Sequence, residues 1–382
     1  MANDFDFASL TPEQRKALLD GPALAPPGNV LPQFDNPPNR TALGAGLIIA
    51  CASICIIVVA IRIYAKAFCS RKMDVEDYLT LAALGAYGGF LYFSYEILSM
   101  AGLYVNQWDI RLKDLAGIIY NVNNSYLIYG NIIMLLKAGI LFQWVHLFVP
   151  CNVRNRFWWI CHMAIVANVL FYVACTIVEN FSCTPREKIW NKMVPGHCIN
   201  NPALIMSSGI LNLLSDILIF VLPQKLIWGL RISTRKRVGV VVIFATGVFG
   251  CICGAFRLET TIVALNSDNI IYMVGPIGLW SHGEITAGFL ILCVPCIPKA
   301  FKGTRIFAGS SKLDSKENSR HGLPSWYSHK AAQKKIDDDE GSEIDFGKTF
   351  DSVRVDGGDG YGYGYGYGDE GRKEVRRTDS AN

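Results

Sequence analysis

Residues 41–61 read TALGAGLIIACASICIIVVAI, 21 positions without a charged side chain. At about 1.5 Å per residue, a helix of that length spans about 30 Å, the thickness of the hydrocarbon core of a bilayer. The same property returns at Leu115 to Leu136, Phe157 to Val178 and Val238 to Phe256, over 22, 22 and 19 residues. Three more stretches are interrupted by single acids: Tyr78 to Tyr95 runs up to Glu96, Ile199 to Gln224 contains Asp216, and Ile270 to Pro298 contains Glu284. Soluble helices carry a polar face, and these mostly do not. The pattern predicts an all-α membrane protein, a seven-transmembrane helix bundle over residues 41–301.

The cations between the segments predict its orientation. One set of loops holds Arg62, Lys66, Arg71 and Lys72; then Arg154 and Arg156; then Lys225, Arg231, Arg235, Lys236 and Arg237; then Lys299, Lys302 and Arg305. The other set is poorer, with Arg111 and Lys113, then Arg186, Lys188 and Lys192, then none from Leu265 to Pro276. Positive-inside bias therefore places the amino terminus outside and the tail in the cytosol. Met1 to Asp20 is acidic and lacks an apolar core, so no cleavable signal is expected and the first segment acts as its own insertion signal. Residues 1–40 read as an extracellular leader. Residues 302–382, with the charged run Lys334 to Glu340 and the Tyr-Gly repeat of Tyr361 to Gly368, read as a disordered cytosolic tail. The net charge of +4 gives no reason to expect nucleic acid; the expected surroundings are the lipid bilayer, with the plasma membrane as location.

Of 12 cysteines, Cys183 and Cys198 fall in an expected outward loop, where an oxidising compartment would let them close a disulfide over the outer mouth. Cys251, Cys253, Cys293 and Cys296 differ in depth and read as small packing residues rather than as a zinc site. Asn39-Arg40-Thr41 and Asn180-Phe181-Ser182 match the glycosylation pattern but abut membrane segments.

Ionisable and amide groups within apolar spans are costly, so they are the candidate functional residues. Glu96, Asp216 and Glu284 are the strongest, joined by Asn124, Asn131 and Trp280; Asn212 with Asp216, and Trp280 with Glu284, share helix faces at i,i+4. Helix-to-helix hydrogen bonding is the plain alternative for each asparagine. Lys137 is expected near the cytosolic end of its segment, its stem reaching toward the headgroups. Because Ile277 to Pro295 holds no lysine, a retinal Schiff base is not expected, and no cofactor or metal is.

Several local motifs occur in a characteristic order. These are Met73-Asp74-Val75-Glu76-Asp77-Tyr78, Trp108-Asp109-Ile110, Cys183-Thr184-Pro185, Gly196-His197-Cys198, Ser215-Asp216-Ile217 through Leu222-Pro223 to Trp228, Arg235-Lys236-Arg237, Arg257-Leu258 and Trp280-Ser281-His282-Gly283-Glu284. In that order they resemble the fungal rhodopsin-like integral membrane proteins, related to the pathogenesis-associated fungal receptor candidates. The resemblance covers about residues 41–301 and implies a receptor-like arrangement of seven helices. One departure from many relatives is that Pro223 is followed by Gln224 and Lys225 instead of a second proline.

Two functions follow as expectations. In the first, an orphan receptor takes a small or apolar extracellular cue, and Arg231, Arg235, Lys236 and Arg237 meet an acidic cytosolic partner such as a G protein. In the second, a membrane-embedded enzyme acts on a lipophilic metabolite with Asp216 or Glu284 as general acid.

Overall fold

A computed structural model describes residues 11–28, 30–70, 72–149, 155–224 and 234–297. The expected disordered tail lies outside these residues, as do Lys225 and Arg231. The described chain is mostly helical: α1 Pro12–Asp20, α2 Thr41–Tyr64, α3 Val75–Met100, α4 Leu112–Phe148, α5 Arg156–Asn180, α6 Asn201–Val221, α7 Thr234–Leu265 and α8 Ile270–Cys293. A π turn, Ala65–Ser70, extends α2, and a 3-10 turn, Val294–Cys296, extends α8.

Among the described residues, six helices are long and apolar enough to cross a membrane: α2 continued to Phe68, α4, α5, α6, α7 from Val241, and α8 continued to Cys296. The chain is thus a multi-pass membrane protein. The seventh expected segment is α3, which falls short of the six in apolar content because Tyr78, Tyr87, Tyr92, Tyr95 and three glycines dilute it. It nonetheless packs along the length of α4, and Tyr87 and Phe90 enter the central cluster.

That cluster gathers Val59 of α2, Ile132, Leu136 and Leu141 of α4, and Ile285, Phe289 and Leu292 of α8. The outer faces are just as apolar. Ile49, Met163 and Leu170 are each 64% exposed, whereas Arg62, Lys137 and Arg257 are 1%, 4% and 4% exposed. Charge inside and hydrocarbon outside is the reverse of a water-soluble surface, and exposed apolar area on this scale requires lipid to cover it.

The helices run further than charge-free stretches alone predict. α4 extends to Phe148, 11 residues or about 16 Å beyond Lys137, and α7 continues past Phe256 to Leu265. Arg62, read from sequence as a loop cation, is instead part of α2. Its Nε donates to Asp77 Oδ1 at 2.7 Å and its Nη1 to Gln143 Oε1 at 2.7 Å and to the Leu292 carbonyl, tying α2, α3, α4 and α8 together at one end of the bundle.

At the other end the leader is strapped across the loop between α3 and α4. Ala23 N–H donates to the Ile110 carbonyl (2.9 Å), Gln33 N–H to Asp109 Oδ1 (3.0 Å) and Arg40 N–H to the Leu103 carbonyl (2.9 Å). The same loop is pinned to the turn before α8: Gln107 N–H donates to Asn269 Oδ1 and Asn269 Nδ2 to Asn106 Oδ1, each at 2.9 Å. Gly102, at φ +78°, provides the left-handed residue that ends α3 and turns the chain into this loop.

Candidate functional site

A cavity of about 360 Å³ opens beneath that loop, between α3, α4, α6, α7 and α8. Its size is at the lower end of the roughly 300–1,000 Å³ of small-molecule pockets. Most of its wall is aliphatic, contributed by residues such as Ile97, Leu103, Ile118 and Ile271. Ser94, Asn123, Tyr126, Glu179, Arg257 and His282 supply polar groups. The disulfide Cys183–Cys198 closes the α5 to α6 connection through a two-residue pair of strands, β1 Cys183–Thr184 and β2 His197–Cys198. From this connection Ser182 and Ile189 reach the cavity. The cover over the mouth is therefore shared: sequence reasoning assigned it to the disulfide loop, and the structure adds Ala101, Gly102 and Leu103, held down by the leader.

Below the cavity a chain of charges crosses the bundle. Arg257 Nε of α7 lies 3.0 Å from Glu284 Oε2 of α8. Asn212 Nδ2 of α6 donates to Glu284 Oε1 at 2.8 Å and to Asp216 Oδ2 at 3.2 Å. Asp216 Oδ1 pairs with Lys137 Nζ of α4 at 2.9 Å. Lys137 also donates to Asn212 Oδ1 (2.9 Å) and Ser215 Oγ (2.5 Å), and the Tyr172 hydroxyl of α5 donates to Asn212 Oδ1. Four helices, α4, α5, α6 and α8, thus meet at one amide, Asn212, and Arg257 joins α7 to them through Glu284.

Lys137 corrects the sequence reading: it does not reach for the headgroups, because α4 continues about three turns beyond it and leaves it deep in the bundle. Arg257 was missed as a site residue because the charge-free criterion ended the sixth segment at Phe256, one position short of it. An available signal was the imbalance between Asp216 and Glu284 inside the spans and a single interior lysine.

Of the other sequence candidates, Asp216 and Glu284 come together as described. Asn124 and Asn131 donate to the Tyr120 and Leu127 carbonyls one turn back in their own helix, each at 2.8 Å. Trp280 stacks on Phe256 at 4.8 Å, and Glu96 is half-buried; neither lines the cavity. Arg235, Lys236 and Arg237 stand in the first turn of α7. Cys253, Cys293 and Cys296 are buried and Cys251 is half-buried. The Asn39 side chain accepts from Thr41 N–H (3.1 Å), and Asn180 accepts from Arg186 Nη2 (2.9 Å).

His282 is held between Tyr87 Oη, 3.1 Å from Nδ1, and Ser94 Oγ, 3.2 Å from Nε2. At the bundle end away from the cavity, ligand atoms of Asp74, Glu76 and His146 lie within 4.8 Å of one another, a spacing a metal ion could use. Lys66 Nζ bonds Asp74 and stands 3.8 Å from Glu76 Oε1, so a cation already neutralises these acids. Burial pushes the Asp74 carboxyl up, but the hydrogen bond and charge of Lys66 outweigh it and hold the group below its ordinary value.

The fungal rhodopsin domain family matches residues 61–303. The chain is 37% identical over 291 residues to the fugralins biosynthesis cluster protein 2 of Gibberella zeae, covering 75% of this chain and 72% of that protein. It is 32% identical over 197 residues to a SAT4 family membrane protein of Emericella nidulans, covering 52% of this chain and half (50%) of the relative. With the wortmanamides biosynthesis cluster protein C of Talaromyces wortmannii it shares 24% identity over 256 residues, 63% of this chain and 65% of the relative. No solved structure matches the chain at a significant level.

Proposed function

The chain belongs to the fungal rhodopsin domain family, and from that premise we propose that it is a receptor-like protein that senses a small, largely apolar molecule without retinal. One observation carries this reading: an apolar cavity ends on Arg257, which is the first member of a charge chain linking α4, α6, α7 and α8. A molecule seated on Arg257 changes the balance of that chain, and a multi-helix ion network with two arrangements is the kind of element a ligand can bias.

In this reading α3 is a seventh span. Its length of 26 residues and its packing along α4 support that, and an odd number of crossings puts the two ends of the domain in opposite compartments. The excess of lysine and arginine around Arg154, Arg156 and residues 225–237 supports a cytosolic position for that side and an outward one for the leader. The cavity then faces outward under its cover, at the plasma membrane. The run of cations Arg231, Arg235, Lys236 and Arg237 in the sequence would then meet an acidic cytosolic partner such as a G protein.

Three relatives carry biosynthesis-cluster names, which favours a lipophilic metabolite as the cue. The same names allow a membrane-embedded enzyme. Against it, neither Asp216 nor Glu284 lines the cavity, and each is already engaged by a cation, at 2.9 and 3.0 Å. The test is nucleotide exchange on a co-reconstituted heterotrimeric G protein, driven by extracts of metabolite-producing cultures. Extract-dependent exchange that disappears when Arg235, Lys236 and Arg237 are all changed to Gln is expected. Extract components consumed by the purified protein, and spared by Glu284→Gln, would replace sensing by catalysis.

A further inference from the structure

The cavity has a chemical polarity that its aliphatic wall conceals. Arg257 is 4% exposed; its Nε is used by Glu284 and its guanidinium lies over the Tyr129 ring, 4.9 Å from the centroid. Its Nη2, buried, has no hydrogen-bond partner among the described residues. An unmet guanidinium donor in a low-dielectric site is costly, so a native protein keeps one where something else supplies the acceptor. A second such donor is Asn123 Nδ2, likewise buried and unpartnered among the described residues, on a residue that also lines the cavity. Asn123 and Tyr129 are six positions apart on α4, which separates them by about 9 Å along the helix axis.

Charge decides what can accept from these donors. Lys137 and Arg257 contribute two positive charges, and Asp216 and Glu284 two negative ones, so the chain is already balanced. Another carboxylate, Glu179, lines the cavity wall. An entering anion would lose its hydration and gain no uncompensated cation in return; an entering ammonium could pair with Glu179 but would leave both donors unmet.

We infer that the ligand of this cavity is an electrically neutral lipophile carrying carbonyl-type acceptors, one meeting Arg257 Nη2 beside Tyr129 and a second meeting Asn123 Nδ2, on a residue about 9 Å from Tyr129 along the α4 axis. A ketone, ester, lactone or amide carbonyl has the required chemistry. Arg257 here acts as a polarised donor whose charge Glu284 has cancelled. This rests on the reading of the cavity as a ligand site and adds the class of molecule it takes.

Binding to the full chain in lipid nanodiscs, measured by displacement of tritiated methyl octyl ketone, tests this. The competitors are the unlabelled ketone, the ten-carbon diketone with a carbonyl next to each terminal methyl, decanoate, decylamine and decane. The diketone is expected to bind most tightly, about tenfold better than the mono-ketone, the value of one extra hydrogen bond. Decane, decanoate and decylamine are expected to be weaker than the mono-ketone. Asn123→Leu, which leaves every ion pair in place, should remove the diketone's advantage. Arg257→Lys, which keeps a cation opposite Glu284, should weaken both ketones about tenfold. Decanoate or decylamine binding at least as tightly as the ketone would overturn the neutral-carbonyl inference while leaving the cavity a ligand site. Equal binding of decane and both ketones would do the same. Absence of saturable binding by all the probes would overturn the cavity reading itself.

Discussion

Removing one partner from the Arg257–Glu284 pair is the perturbation that most directly probes how this bundle is held together. The charges sit about 4 Å apart centre to centre, worth about 4 kcal/mol at an effective dielectric near 20. Losing Glu284 also leaves an Arg257 side chain that is 5% exposed without its counter-ion, and breaking a buried pair in this way costs about 3–5 kcal/mol. An ordinary interhelical hydrogen bond in a membrane is worth only about 0.6 kcal/mol, so the two descriptions are well separated. Glu284→Leu and Arg257→Met are each expected to destabilise the protein by about 3–5 kcal/mol. The double variant removes both charges together and should recover most of the loss, because apolar side chains of similar volume need no solvation. The assay is reversible SDS-induced unfolding of the purified full chain in mixed micelles, followed by tryptophan fluorescence, with the coupling energy taken from the double-mutant cycle. A coupling of about 2 kcal/mol or more is expected. Strict additivity of the two single changes would refute the claim that these residues act as a compensated pair.

Further outcomes follow from other parts of the molecule. Cys183→Ala with Cys198→Ala opens a 15-residue loop and should cost about 3 kcal/mol in the same unfolding assay, with ketone binding weakened because Ser182 and Ile189 lose their anchor. Gly102→Ala should lower stability by about 1–2 kcal/mol, since the residue sits at φ +78° and an added Cβ would stand 3.0 Å from Val105 and 3.2 Å from Thr41; a neutral result would show that the loop re-forms another way. Asp74, held below the usual carboxylate range by Lys66, contributes stability that is present above its unfolded pKa of about 4 and is lost as pH falls through the lower folded value. Unfolding curves between neutral and acid pH should therefore show a loss of stability below about pH 4 that Asp74→Asn reduces, and an unchanged profile in that variant would exclude this pair as its source.

The family and the membrane class were legible in the sequence because they rest on composition and local order: charge-free stretches such as Thr41 to Ile61 need no tertiary contact to be recognised. Cys183 and Cys198 were legible too, since only they fall in the loop between the fourth and fifth apolar stretches. Helix ends were not. The boundaries at Leu136 and Phe256 were placed where charge begins, but Lys137 and Arg257 continue their helices because each finds a carboxylate on a neighbouring helix. A linear reading treats every interior charge as an end, whereas a bundle accepts it when the counter-charge is supplied from elsewhere in the fold.

The same reason separates residues of one type. Asn131 and Asn212 are equivalent in sequence as amides within apolar spans, yet one bonds a carbonyl of its own helix while the other links Glu284, Asp216, Lys137 and Tyr172. Sequence by itself determined that this chain lives in lipid, which segments are apolar enough to enter it and that acids lie among them, because solvation free energy is a property of each side chain. Only the tertiary structure decided which acid meets which base and where a cavity is left, because those depend on the rotation and depth of helices brought together from distant parts of the chain.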